Sequence, residues 1–179
     1  MLDRLRHERP EALLLIAGEG PAEKSLRRRV RRLGLQEHVR FSGYLDRKVG
    51  LKDCYRAGDA FVFASRTETQ GLVLLEAMAQ GLPVVSTAKM GTRDIIGPQR
   101  GAVHAPEEPG TFAHAVAQLL ADGERRARTA DAARAFAREW SARDMAALMV
   151  RAYRAAGAPM EATEVAAERT APFTASPGP

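Results

Sequence analysis

The chain has little of what most chemistry-bearing folds advertise. Among 179 residues there is one cysteine, Cys54, one tryptophan and an aromatic content of 6%. A single thiol excludes an internal disulfide and fits a reducing compartment. No apolar run approaches the roughly 18–20 residues that cross a bilayer. The first residues, with Asp3, Arg4, Arg6, His7 and Glu8, do not read as a signal peptide, so the expected location is cytoplasmic. The histidines His7, His38, His104 and His114 lack metal-ligand spacing, and no metal or other cofactor is expected. No nucleophile–base pair stands out either. Cys54, within a helical stretch, reads as a small packing residue.

What is present is ordinary in polarity and unusual in charge. Hydrophobic residues make up 45%, charged residues 27%, and the formal net charge is +5. A basic balance favours anionic partners. The run Arg27-Arg28-Arg29-Val30-Arg31-Arg32-Leu33 concentrates it. Val30 and Leu33, three apart, mark a buried side and leave the arginines on the solvated face of a helix. No aromatic residues interleave with them for base stacking, so nucleic acid is not an expected partner. An anionic membrane surface remains open, which would place the protein peripherally at the inner membrane face.

The apolar pattern alternates between two periods. Ala12 to Ala17 is a continuous apolar run that fits a strand buried on both faces. Gly18-Glu19-Gly20-Pro21 stops it, with Pro21 placed for a first helical turn, and the helix runs from about Ala22 to Leu33 and ends at Gly34. A second strand, 38–42, precedes Gly43 and a helix that starts at Asp46 and reaches Arg56. Ala60 to Ala64 is a third buried strand. Next come an apolar helix after Gly71, a short strand at Pro83 to Ser86, and a last one over 101–104. This alternation predicts an α/β, Rossmann-like, doubly wound parallel sheet with helices on both faces. From Pro109 the pattern is helix only, giving C-terminal helices that Trp140 would anchor. One domain spans 1–157, and 158–179 reads as a disordered tail poor in large apolar residues. The residues before the first visible strand resemble the end of a helix, so a strand preceding that helix is expected to be missing.

The segment from Arg66 to Val85 carries the chemistry. Gly71 opens an apolar helix whose first amides and positive dipole end favour a phosphate. Glycine there allows a ligand close to the backbone. Glu76 lies about 7–8 Å further along the axis at 1.5 Å per residue, where a carboxylate could accept both hydroxyls of a ribose. Glu68, in the preceding loop, could accept hydroxyls of a sugar on the other side of a diphosphate. The competing reading makes Glu68 a helix-start acid and Glu76 a solvated helix residue.

The string Glu68-x7-Glu76, followed by Ala77-Met78-Ala79-x-Gly81-x-Pro83-Val84-Val85, resembles the hallmark of family-4 retaining glycosyltransferases of the GT-B fold. Leu14 to Pro21, Val39 to Gly43 and Ala57 to Val62 match in the same order and spacing. The resemblance covers residues 10–155 and implies the C-terminal, donor-binding half of a GT-B fold. It implies that Glu68, the catalytic candidate, binds hydroxyls of the donor sugar. Backbone amides at Thr69, Gln70, Gly71 and Leu72 would bind sugar and phosphate, and Glu76 the ribose. Tyr44 and Leu45 would line the nucleobase pocket, with Gly18 and Gly20 shaping the cleft edge. Most relatives carry an aromatic where Gln70 stands; the variant here is similar to a subset that glycosylates lipids or cell-envelope glycans. The donor would be a nucleoside-diphosphate sugar, bound without a metal. The cations that grip the diphosphate in relatives lie on a segment this sequence does not contain, as does the acceptor domain. Arg66 or Lys89 could replace those cations in part. A separate acceptor-binding domain would then be a partner, unless the chain is a catalytically incompetent nucleotide-sugar-binding domain.

Overall fold

The computed structural model describes residues 1–47, 49–96 and 100–157; the tail expected at 158–179 lies outside them. The chain divides into two compact units, Met1–Trp140 and Ser141–Pro179. The first contains α1 (Leu2–Glu8), β1 (Leu14–Ala17), α2 (Glu23–Arg32), β2 (Val39–Gly43), α3 (Gly50–Ala57), β3 (Phe61–Phe63) and α4 (Leu72–Ala79). It continues through β4 (Val84–Ser86), α5 (Arg93–Ile96), β5 (Ala102–His104), α6 (Pro109–Ala121) and α7 (Gly123–Glu139). In the second, α8 (Ala142–Ala155) starts at Ser141, whose hydroxyl accepts from the Asp144 amide and donates to the Asp144 carboxylate.

All strand pairs are parallel, and they form two hydrogen-bonded sets: β1 with β2, and β3–β4–β5 in that order. The expected continuous sheet is therefore interrupted between β1 and β3. Both sets nevertheless feed one core. Leu14, Ile16 and Phe41 from the first and Val62, Val85 and Val103 from the second pack with Leu2, Leu5, Phe112, Val116 and Leu119 of α1 and α6. Strand alternation sends the neighbouring residues the other way. Phe61, Phe63, Val84 and Ala102 join Tyr55, Leu74, Met78, Ile95 and Phe136, so α3, α4, α5 and α7 cover the second face. The central strand β4 is buried throughout, as a parallel strand between two helical layers should be.

Not every strand is covered so fully. The run at Ala12 to Ala17, expected to be buried on both faces, alternates between half-buried and exposed, and Leu15 is 43% exposed. Among the described residues, the β1–β2 set packs a core on one face. Strand β3, likewise expected to be buried, is half-buried along its length. Its edge away from β4 pairs with no strand among the described residues. The α2 helix keeps its arginines in solvent and buries no residue fully: Val30 packs on the core, whereas Leu33 is 40% exposed. Arg27 pairs with Glu23 and lays its guanidinium over the Phe41 ring at 4.2 Å. The third helix begins at Gly50 and not at Asp46, because Asp46 accepts from the Val49 and Gly50 amides and holds the turn ahead of it. Trp140, expected to anchor the C-terminal helices, sits at the end of α7 with its ring edge-on to Phe136.

Two local devices hold the layers. Gly101 has φ +79°, and a Cβ there would lie 2.2 Å from Ala133 Cα, so α7 packs directly on its backbone. Glu108 accepts from the Gly110 and Thr111 amides at the start of α6, which pushes its carboxyl down to about 2. Gly101→Ala should destabilise the fold by about 3 kcal/mol or more through strain and overpacking. Gly20→Ala, with no atom near its would-be Cβ, should change stability far less in the same denaturant titration. Glu108→Ala should lower Tm at pH 7. A carboxyl lowered from 4.5 to about 2 on folding stabilises the native state above 4.5 and loses that effect as pH falls towards 2, so the Tm gap should close over that window.

Candidate functional site

Parallel pairing puts the loops that follow β3, β4 and β5 at one end of their set. Arg66, Glu68 and Gly71 lie in the first of these loops, Lys89 in the second and Glu107 in the third. The first two are locked backbone to backbone. The Gly91 amide donates to the Glu68 carbonyl at 3.1 Å, and a Cβ on Gly91 would fall 1.9 Å from the Thr69 oxygen. Lys89 sits between Ala88 and Met90, non-glycine residues with φ of 51° and 48°. Each left-handed residue of this kind costs on the order of 1–2 kcal/mol, and such strain clusters in functional loops. The Thr92 hydroxyl donates to the Lys89 carbonyl at 2.6 Å and steadies the same turn.

Gly71 is required by its own backbone. Its φ is +72°, and a Cβ would meet Ile95 Cδ1 at 2.7 Å. The helix it opens is therefore held against α5 whatever binds at its start. Glu68 Oε1 accepts from the Gly71 amide at 2.8 Å and the Gln70 amide at 3.0 Å, and these bonds hold its carboxyl below the usual range. In the structure Glu68 is thus an acid at a helix start, and it takes two of the amides that the resemblance assigns to sugar and phosphate. The first-turn amides that it does not take are those of Leu72 and Val73.

Glu76 lies further along α4 and is not a solvated residue without contacts. Tyr55 Oη donates to its Oε2 at 3.4 Å, and Arg47 reaches its Oε1 at 3.6 Å from the loop after β2. Burial, then the charge and hydrogen bond of Glu76, push the Tyr55 phenol up to about 12. The Arg47–Glu76 pair thus joins the loop after β2 to α4.

Gly18, Gly20, Tyr44 and Leu45 form a second group at the ends of β1 and β2. Gly18, at φ +107°, donates its amide to the Gly43 carbonyl at 2.8 Å, and the Tyr44 amide donates to Glu19 Oε1 at 3.3 Å. Tyr44 is 72% exposed. Among the described residues no hydrogen bond or ion pair joins this group to the Glu68 loop.

The cations are already paired. Arg66 holds Glu107 through both Nε and Nη2, and Lys89 Nζ lies 4.0 Å from the other Glu107 oxygen. Sequence reading passed over Glu107, Arg47, Tyr55 and Glu19. For Glu107 the available signal was a doubled acid before Pro109, of which Glu108 is the helix cap. Arg47, Tyr55 and Glu19 carry no local signal. Cys54 is half-buried on α3, and burial raises its thiol pKa, as for a packing residue. Among the described residues no cluster of His, Cys, Asp and Glu could hold a metal ion, and no helix is long and apolar enough to cross a membrane.

The arrangement has relatives. The chain is 32% identical over 158 residues to a D-inositol 3-phosphate glycosyltransferase of Xylanimonas cellulosilytica, covering 86% of this chain and 38% of the relative. It is 39% identical over 133 residues to a glycogen synthase of Mycobacterium tuberculosis, covering 72% and 32%. Among solved structures, sucrose-phosphate synthase from Thermosynechococcus elongatus superposes with a TM-score of 0.75 at 27% identity, over 88% of this chain and 41% of that one. Anabaena Alr3699/HepE in complex with UDP superposes with a TM-score of 0.74 at 22% identity, over 86% and 44%. The chain thus spans about a third of the curated relatives' length, and its α/β fold is that of GT-B glycosyltransferases. The family model for Glycosyl transferases group 1 matches residues 1–136, and the chain belongs to that family.

Proposed function

We propose that this chain is the donor-binding half of a retaining, family-4-like glycosyltransferase and takes a nucleoside-diphosphate sugar. The observation that carries the proposal is the placing of Glu68, Gly71 and Glu76 along one helix start, beside the carboxyl ends of parallel strands. Open α/β sheets bind ligands on that side. The Leu72 and Val73 amides would meet the diphosphate, Glu68 the sugar hydroxyls and Glu76 the ribose, with Tyr44 and Leu45 at the base. Transfer would depend on positioning and on electrostatic stabilisation of the departing diphosphate. The diphosphate would also help deprotonate the acceptor on the face it leaves, so that configuration is retained.

The acceptor side would come from a separate acceptor-binding domain, with a lipid or cell-envelope glycan as the acceptor. The solvated arginine face of α2 fits a cytoplasmic protein resting on an anionic membrane surface. The alternative is a nucleotide-sugar-binding domain with no transferase competence of its own. Both readings use the same donor site and differ only in whether an acceptor side completes it.

Titration with UDP and GDP by calorimetry should show saturable binding. Loss of hydrogen bonds to a charged group costs about 1.5–3 kcal/mol, so Glu76→Ala should weaken that binding about 10- to 100-fold. No heat at millimolar nucleotide, with a cooperatively folded protein, would sink the donor-binding reading. Product formed only after an acceptor domain is added would select the transferase over the alternative.

A further inference from the structure

We propose that Arg66 and Lys89 form a phosphoryl-binding site that the Glu107 carboxylate occupies in the free protein and must leave for the donor to bind. The inference rests on the donor reading above and adds to it an internal competitor for the diphosphate. Three loops supply the parts, each following one strand of a single parallel set. Glu107 turns one carboxylate oxygen to the Arg66 fork and the other towards Lys89 Nζ at 4.0 Å. A carboxylate held between a guanidinium and an ammonium stands where a phosphoryl oxygen pair would stand.

The backbone on every side is pinned, so exchange is left to side chains. Arg66 leads into the loop that Glu68 and Gly91 hold. Lys89 sits in the strained turn braced by Thr92. Glu107 immediately precedes Glu108, whose two amide bonds start α6. The charged groups themselves remain open to solvent, with side-chain exposures of 76% for Arg66, 50% for Lys89 and 36% for Glu107. Exposed pairs are weak, and a single negative charge there yields to a diphosphate with more charge and more acceptor oxygens. Glu107 also borders a cavity of about 220 Å³ lined by Met1, Val62, Phe63, Ala64, Pro109 and Phe112, which gives the carboxylate room to move off the two cations.

Calorimetry with inorganic pyrophosphate and with UDP, at fixed moderate salt, tests this on the full chain. Glu107→Gln should bind both roughly two- to fivefold more tightly than wild type, the gain expected from removing a competing exposed ion pair. Glu124→Gln, which makes the same charge change on α7, should leave both affinities unchanged. In Glu107→Gln/Arg66→Ala the gain should disappear. Thermal unfolding of each variant establishes that it is folded. Equal or weaker binding by Glu107→Gln, while wild type still binds UDP, overturns the proposal and leaves the donor reading intact. A gain that survives Arg66→Ala, or is matched by Glu124→Gln, overturns it as well. No binding of either ligand by any folded variant overturns both.

Discussion

Parallel pairing of β3, β4 and β5 is the constraint on which the site depends. Parallel strands need a crossover between each pair, and here the crossovers are α4 and α5, which pack on one face. Every strand in the set therefore ends at the same edge and delivers its following loop there. Arg66, Lys89 and Glu107 are 23 and 18 positions apart in sequence, yet they meet because Phe61, Val84 and Ala102 share a register. The burial of β4 on both faces, with Val84 and Val85 at 0% exposure, keeps that register from slipping.

Around this edge the polar groups are engaged before any ligand arrives. Glu68 takes two amides of its own turn, Glu76 holds Arg47 and Tyr55, and Glu107 holds Arg66. Such contacts place side chains in advance, which lowers the ordering cost of binding, and they also compete with the ligand. The balance differs between them. The Glu68 bonds are local and fix the entry to α4. The Arg47–Glu76 and Arg66–Glu107 pairs are exposed and weak, and they break at little cost.

The strand–helix alternation and the glutamate spacing were both visible in the residues. Alternation was legible because Val84 and Val85 are adjacent apolar residues that suit a strand buried on both faces and because Gly34, Gly43 and Gly71 mark turns at positive φ. Less legible was the outer face of β1: an apolar run records a tendency to be buried and cannot report that Leu15 stays 43% exposed. The role of Gly71 was legible as a special backbone position, whereas its closeness to Ile95 was not, since α4, β4 and the loop after β4 lie between the two in sequence.

Residue type and local spacing thus account for the α/β class, the helix start at Gly71 and the presence of two carboxylates flanking it, because propensity, capping and turn geometry act within a few residues. They do not account for which charges meet. The pairing of Glu107 with Arg66, of Arg47 with Glu76, and of Gly91 with Thr69 joins segments brought together by crossover connections and shared strand register. Those contacts depend on where each loop leaves its sheet, which is set by packing on two cores at once and by no short stretch of the chain.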